Sequence, residues 1–308
     1  MSHLSLKIYA QDTLSFVHIP KTGGTWVGEI LGYMDDRSRY RRSEGYWAKC
    51  KLESRRVYSN FKHCPVDPDV VSLKGLSPSS EKKERLWASK RSKTPHAIRF
   101  AVIRNPYDIL CSSYFWNERM TNSYITPGIS AELWCQNFIN PIPELSTLAW
   151  KKDTTFADSV VRRGPQVFDQ LAEKFLFYQL FGIDGQPRVD FILRYENINT
   201  GMKHILNQLT NFPDAMIGET MSMLSKNKNP LKREAYQDWY KSCSSIMKDI
   251  DNRFSRECLA FNYNFDGPKD DAVFLDMSGL RYNPVTNHMT ILYPNQPIHI
   301  EFRDESCL

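Results

Sequence analysis

Apolar positions cluster in short runs, separated by polar stretches rich in glycine and proline. Leu14 to Ile19 (LSFVHI) is the first such run, and its Phe and Val predict a buried strand. Pro20 to Thr25 (PKTGGT) breaks it, and apolar residues then recur at helical intervals from Trp26 to Met34. The chain therefore opens strand, glycine loop, helix. Ile98 to Ile103 (IRFAVI) predicts a second buried strand, ended by Arg104-Asn105-Pro106. Pro106 suits the first turn of a helix, expected here to about Asn117. Gln166 to Leu180 is helical by pattern, Val189 to Arg194 (VDFILR) predicts a third strand, and Thr200 to Leu209 a helix after it. The longest pattern runs from Glu234 to Leu259. Tyr236, Trp239, Tyr240, Cys243, Ile246, Met247, Ile250 and Phe254 fall at three- and four-residue steps, which predicts one amphipathic helix.

The intervening stretches carry weaker signals. Residues 35–60 are rich in Arg, Lys, Ser and Tyr, and the cluster Arg37 to Arg42 (RSRYRR) reads as a solvated loop or helix face. Residues 65–95 read as loop with one helix near Glu84 to Ser89, and 118–160 as a variable stretch suited to an acceptor-binding wall. Lys226 to Lys232 (KNKNPLK) is a basic loop, and 271–303 reads as two or three short strands. Strands alternating with helices predict an α/β fold with a central parallel sheet flanked by helices. The main domain is expected over 1–267, with a small C-terminal β appendage, 268–308, packed on it.

Composition narrows the function. With 41% hydrophobic and 24% charged residues, the 308-residue chain has material for an ordinary core. A formal net charge of +5 fits an anionic ligand but is too weak and too evenly spread to argue for nucleic acid. The seven cysteines are scattered and form no CxxC pair, which predicts thiols in a reducing compartment. The first thirteen residues lack the apolar stretch of a signal peptide, and no run matches a membrane span; a cytoplasmic protein without a membrane anchor is expected. No metal-ligand spacing is present, so no metal is expected.

Two motifs carry the chemistry. The first is His18-Ile19-Pro20-Lys21-Thr22-Gly23-Gly24-Thr25-Trp26, between the first strand and its helix. Gly23 and Gly24 permit a tight turn and close approach to a ligand. The helix behind offers unpaired N–H groups and a positive dipole end. Lys21 adds a cation, and Thr22 and Thr25 add hydroxyls, so the segment is a phosphate cradle, although taken alone it is also compatible with a plain turn. Lys21 precedes the glycines, unlike the lysine of the nucleotide-triphosphatase loop. The second motif is Phe100-Ala101-Val102-Ile103-Arg104-Asn105-Pro106-Tyr107-Asp108, followed by Ser112. It delivers Arg104, whose fork suits a phosphate, at a strand end where open α/β sheets bind ligands, and Ser112 two helical turns on.

Together these motifs, roughly 80 residues apart, resemble the PAPS-dependent sulfotransferase superfamily, PAPS being 3′-phosphoadenylyl sulfate. The first looks like that family's 5′-phosphosulfate loop, in the HIPKTGGT form of carbohydrate O-sulfotransferases, while Trp26 echoes the GTTW ending of the cytosolic ones. The second resembles the 3′-phosphate site. Phe191 to Asn197 (FILRYEN) looks like the family's later core strand and turn, and Phe261 to Phe265 (FNYNF) like its FGY-F ending. The resemblance covers roughly 14–265 and implies a P-loop-like sulfotransferase fold.

It further implies PAPS as donor, with adenosine 3′,5′-bisphosphate (PAP) as product and no metal. The acceptor would be a carbohydrate or small metabolite, sulfated at a hydroxyl or amine. Lys21 would bind the 5′-phosphate and neutralise the departing oxygen, with Thr22, Gly23, Gly24, Thr25 and Trp26 holding that phosphate. Arg104 and Ser112 would hold the 3′-phosphate, and Lys226, Lys228 and Arg233 would cover the nucleotide. His63 is the general-base candidate, in the position where relatives carry Gly-His, although Lys62 replaces that glycine here. Glu29 and Glu44 are rivals. His18 reads as packed beside the loop, and His96 as structural. The alternative reading is a nucleotide-dependent phosphoryl-transfer enzyme.

Overall fold

The structure is a computed structural model. It describes residues 4–9, 11–19, 22–40, 49, 51–53, 66–71, 78–94, 96–119, 130–139, 179–225, 235–286, 288–293 and 296–303. The chain divides into two compact units: Met1–Ile103, Tyr178–Pro230 and Asp270–Leu308 form the first, and Arg104–Phe177 with Leu231–Lys269 the second.

Unit 1 is built on a five-stranded sheet. Its strands are β2 (Thr13–Val17), β3 (Lys51–Glu53), β4 (Ala97–Ile103), β5 (Phe191–Arg194) and β6 (Phe274–Asp276), in the order β3-β2-β4-β5-β6. The first four are parallel and β6 is antiparallel to β5. Helix α1 (Gly24–Tyr40) follows β2, α2 (Pro68–Val71) and α3 (Pro78–Ser92) precede β4, and α6 (Ile198–Leu209) and α7 (Asp214–Ser225) follow β5. Between these two groups lie α4 (Pro106–Arg119) and α5 (Ala131–Ile139), which belong to unit 2.

Sheet residues two apart share a face. Phe100 and Val102 of β4 and Phe191 and Leu193 of β5 enter one core with Val27, Ile30, Leu31 and Met34 of α1 and Met202, Ile205, Leu206 and Leu209 of α6. Phe100 and Phe191 are in register and stack at 5.3 Å. Each such side chain, once buried, contributes about 1.5–3 kcal/mol.

Unit 1 also contains elements that the apolar runs did not announce. β1 (Leu4–Tyr9) pairs in parallel with β9 (Ile298–Arg303), and Ile8, Ile298 and Ile300 join the same core. Its signal was the alternation Leu4, Leu6, Ile8 within a polar stretch. Helix α1 continues six residues beyond Met34, so Arg37 to Tyr40 of the basic cluster lies on helix. Helix α3 is longer at both ends than the segment expected within 65–95.

The β-rich tail forms β6, β7 (Leu280–Asn283), β8 (His288–Ile291) and β9. It is woven into unit 1 rather than appended to it, since β6 is the fifth strand of the central sheet and β9 partners β1. The tie is Arg194, fully buried at the end of β5. Its Nη1 donates to the Asp270 and Ala272 carbonyls at 3.0 and 3.2 Å and to the Asp270 carboxylate. Its backbone N–H donates to Val273 O at 3.1 Å. A buried guanidinium requires acceptors, and the tail supplies them.

Unit 2 is helical. α4, α5, α8 (Tyr236–Trp239) and α9 (Met247–Phe261) enclose a core of Tyr107, Leu110, Cys111, Trp134, Cys135, Phe138, Trp239, Tyr240, Cys243, Ile250 and Phe254. The helix expected unbroken over Glu234 to Leu259 is interrupted by a 3-10 segment, Tyr240–Ile246, where Cys243 has φ −113° and ψ 17°. The serines around it offer the backbone competing partners. Ser242 donates to Trp239 O at 2.6 Å, and Ser245 turns to the Glu132 carboxylate. The apolar period carries through the break because Tyr240, Cys243 and Ile250 still face the core. Of the helix expected over Gln166 to Leu180, Gln179 and Leu180 are helical and the remainder lies outside the described residues.

Candidate functional site

In unit 1 the glycine loop joins β2 to α1. β2 is buried on both faces and adjacent to β4, with Val17 in register with Ala101. Beyond it, Thr22 is fully buried and its hydroxyl donates to Ile19 O at 3.0 Å, closing the loop on itself. Gly23 has φ +80°, a conformation that costs any other residue. A Cβ there would lie 2.8 Å from Tyr195 Cε2 and 3.1 Å from Ile198 Cδ1. Gly24 opens α1, and a Cβ on it would collide with the His18 imidazole. His18 stacks on Phe16, which packs on Phe100 of β4. The Tyr195 ring thus packs against Gly23 and the His18 ring against Gly24. Tyr195 belongs to the FILRYEN segment, in a 3-10 turn (Tyr195–Asn197) after β5. Thr25 is exposed on the first turn of α1, and Trp26 packs half-buried against the core.

In unit 2 the strand-end arginine is held at the start of α4. Arg104 is 8% exposed, and its Nε and Nη2 both donate to Asp108 Oδ2 at 2.5 Å. Asn105 caps the helix, its Oδ1 accepting from Tyr107 N at 3.0 Å, with Pro106 as the first helical residue. Asn105 Nδ2 donates to Asn264 O at 2.8 Å and to the Tyr236 hydroxyl at 3.2 Å. Tyr236 in turn donates to Phe265 O at 2.6 Å. Asn262, left-handed at φ 55°, ends α9 and releases the chain toward these carbonyls. The Phe265 ring lies edge-on to Tyr107, Tyr236 and Tyr240. The FNYNF segment therefore braces the Arg104–Asn105 turn, as FILRYEN braces the glycine loop. The Tyr107 hydroxyl donates to Asp251 at 2.7 Å, and burial first, then that carboxylate, pushes its pKa far above the ordinary phenol value.

Two strand-to-helix turns, each built from phosphate-binding residue types and each held by a second motif, find their counterpart in one family. Comparison with protein families matches residues 5–264 to the sulfotransferase family. The chain belongs to the sulfotransferase family. No curated protein matches it. The matched span includes both turns and the FILRYEN segment, and reaches Asn264 of FNYNF.

Among this sulfotransferase's expected site residues, Thr22, Gly23, Gly24, Thr25 and Trp26 sit together on one turn, while Arg104 directly precedes α4 and Ser112, half-buried, lies about two turns along it. Lys21, His63, Lys226, Lys228 and Arg233 lie outside the described residues, as does Glu44. Glu29 is exposed on α1. Sequence reasoning passed over Tyr195 as the cover of Gly23, and over Asp108 and Asn105 as the holders of the arginine turn. Asp108, four residues after Arg104 and one turn into a helix, was the available signal. Among the described residues no cluster of His, Cys, Asp and Glu could hold a metal ion, and no helix is long and apolar enough to cross a membrane.

Proposed function

We propose that this sulfotransferase moves a sulfuryl group from PAPS to a hydroxyl or amine of a carbohydrate or small-molecule acceptor, releasing PAP. The observation that carries the reading is the Gly23–Gly24 turn: a left-handed glycine at a helix N-terminus, with a ring packed against each glycine. The residue types present suit a doubly phosphorylated adenosine. The amides of Gly24, Thr25 and Trp26 at the start of α1 take the 5′-phosphate, with Lys21 as the cation. Thr22 adds its backbone amide, its hydroxyl being committed to Ile19 O. Arg104 and Ser112 take the 3′-phosphate. Lys226, Lys228 and Arg233 cover the nucleotide.

PAPS, as substrate, supplies the sulfuryl group. Positioning and charge stabilisation do most of the work in such transfers. Lys21 neutralises the charge that builds on the phosphate oxygen as its bond to sulfur breaks. His63 takes the proton from the acceptor hydroxyl as the new sulfur–oxygen bond forms. A phosphoryl-transfer reading is disfavoured because Lys21 precedes the glycines instead of following them. The test is transfer of radiolabelled sulfuryl from PAPS across a panel of sugars and small hydroxyl and amine compounds. At least one acceptor becomes labelled with the native chain and none with Lys21→Ala. Labelling that persists undiminished in Lys21→Ala would overturn the assignment of the loop.

A further inference from the structure

We infer that Asp108 is a positioning residue whose carboxylate aims the Arg104 guanidinium at the nucleotide's 3′-phosphate. The inference rests on the proposed reading of Arg104 and goes beyond it, because it concerns the group that holds the arginine and not the arginine itself.

A guanidinium is planar and offers two forks, the Nε/Nη2 side and the Nη1/Nη2 end. Asp108 Oδ2 accepts from Nε and Nη2 at 2.5 Å, so it occupies the side fork and turns the end fork away from itself. Both side chains are nearly buried, at 10% and 12% exposure, so water competes little for the pair and the geometry is held. Asp108 is itself anchored, one turn into α4, by the cap that Asn105 places on Tyr107 N and by the Asn264 carbonyl behind Asn105. The fork's direction is thereby transmitted from the FNYNF segment through α4 to Arg104. Arg104 stands at the end of a long, rotatable side chain, and bidentate recognition of a phosphate requires its plane to be fixed.

The opposite view is that Asp108 competes with the phosphate for Arg104. The two views part over charge-preserving and charge-removing variants. Asp108→Glu keeps the charge and moves the carboxylate by one methylene. Asp108→Asn keeps an oxygen acceptor in place and removes the charge. The readout is the ratio of dissociation constants for adenosine 5′-phosphate and PAP, measured by titration calorimetry, because it isolates what the 3′-phosphate contributes. Thermal unfolding is followed alongside to confirm that each variant folds. Positioning predicts that Asp108→Glu lowers this ratio by about tenfold or more, while Asp108→Asn keeps it within about threefold of the native value. An unchanged ratio in Asp108→Glu, or a raised ratio in Asp108→Asn, overturns the inference and leaves the function standing if the native chain still discriminates. A native chain with no preference for PAP over adenosine 5′-phosphate overturns both.

Discussion

The Tyr195 ring occupies the space into which a side chain on residue 23 would grow, 2.8 Å from where that Cβ would stand. Gly23 is therefore required twice, by its left-handed backbone and by its neighbour. Gly23→Ala is expected to cost about 1–2 kcal/mol from the backbone alone, before Tyr195 is displaced. Urea denaturation measures that loss. PAP titration of the variant should show affinity falling by more than the loss of stability explains, because the amides at the start of α1 move with the loop.

Asn105 holds its turn from three directions, through Tyr107 N, Asn264 O and the Tyr236 hydroxyl. Asn105→Ala removes a helix cap and takes a donor from the carbonyl of the exposed Asn264, at a combined cost of about 1 kcal/mol. The urea midpoint reports it. A change below a few tenths of a kcal/mol would mean that the FNYNF segment does not brace α4.

Removing the Asp270 carboxylate takes a charged partner from the buried Arg194. Breaking a buried pair from one side costs about 3–5 kcal/mol, and here the figure should fall lower, near 2–3, for two reasons. Asp270 is 32% exposed, and the Asp270 and Ala272 carbonyls remain as acceptors. Asp270→Ala is expected to destabilise accordingly, and limited proteolysis should then cut first within the strands after residue 270.

Burial, then the Glu257 carboxylate, pushes the Cys258 thiol from 9.0 up to about 12. The folded state thus keeps a proton that the unfolded chain gives up. The stability this group contributes is complete below about pH 9 and is lost as pH rises toward 12, at no more than about 1.4 kcal/mol per pH unit. Cys258→Ala should flatten the alkaline limb of stability against pH, measured by urea midpoints between pH 8 and 11. An unchanged limb would place the titration elsewhere.

The sheet and both turns could be read from the chain because buried parallel strands leave continuous apolar runs, as in Phe100 to Ile103 and Phe191 to Leu193. β1 escaped that reading because its apolar residues alternate and its partner, β9, lies almost three hundred residues away. The break at Cys243 escaped because burial keeps the same period on both sides of it. The cradle residues were legible as residue types, and so was His18 packed beside the loop, while the other supports were not. Tyr195 over Gly23 and Asp108 on Arg104 are contacts that arise only once β5 is set in the sheet and α4 is wound.

Calorimetric titration with PAP, adenosine 5′-phosphate and ATP tests the nucleotide assignment most directly. PAP should bind most tightly, with removal of the 3′-phosphate costing affinity severely and ATP binding weakly. Equal or tighter binding of ATP would contradict it.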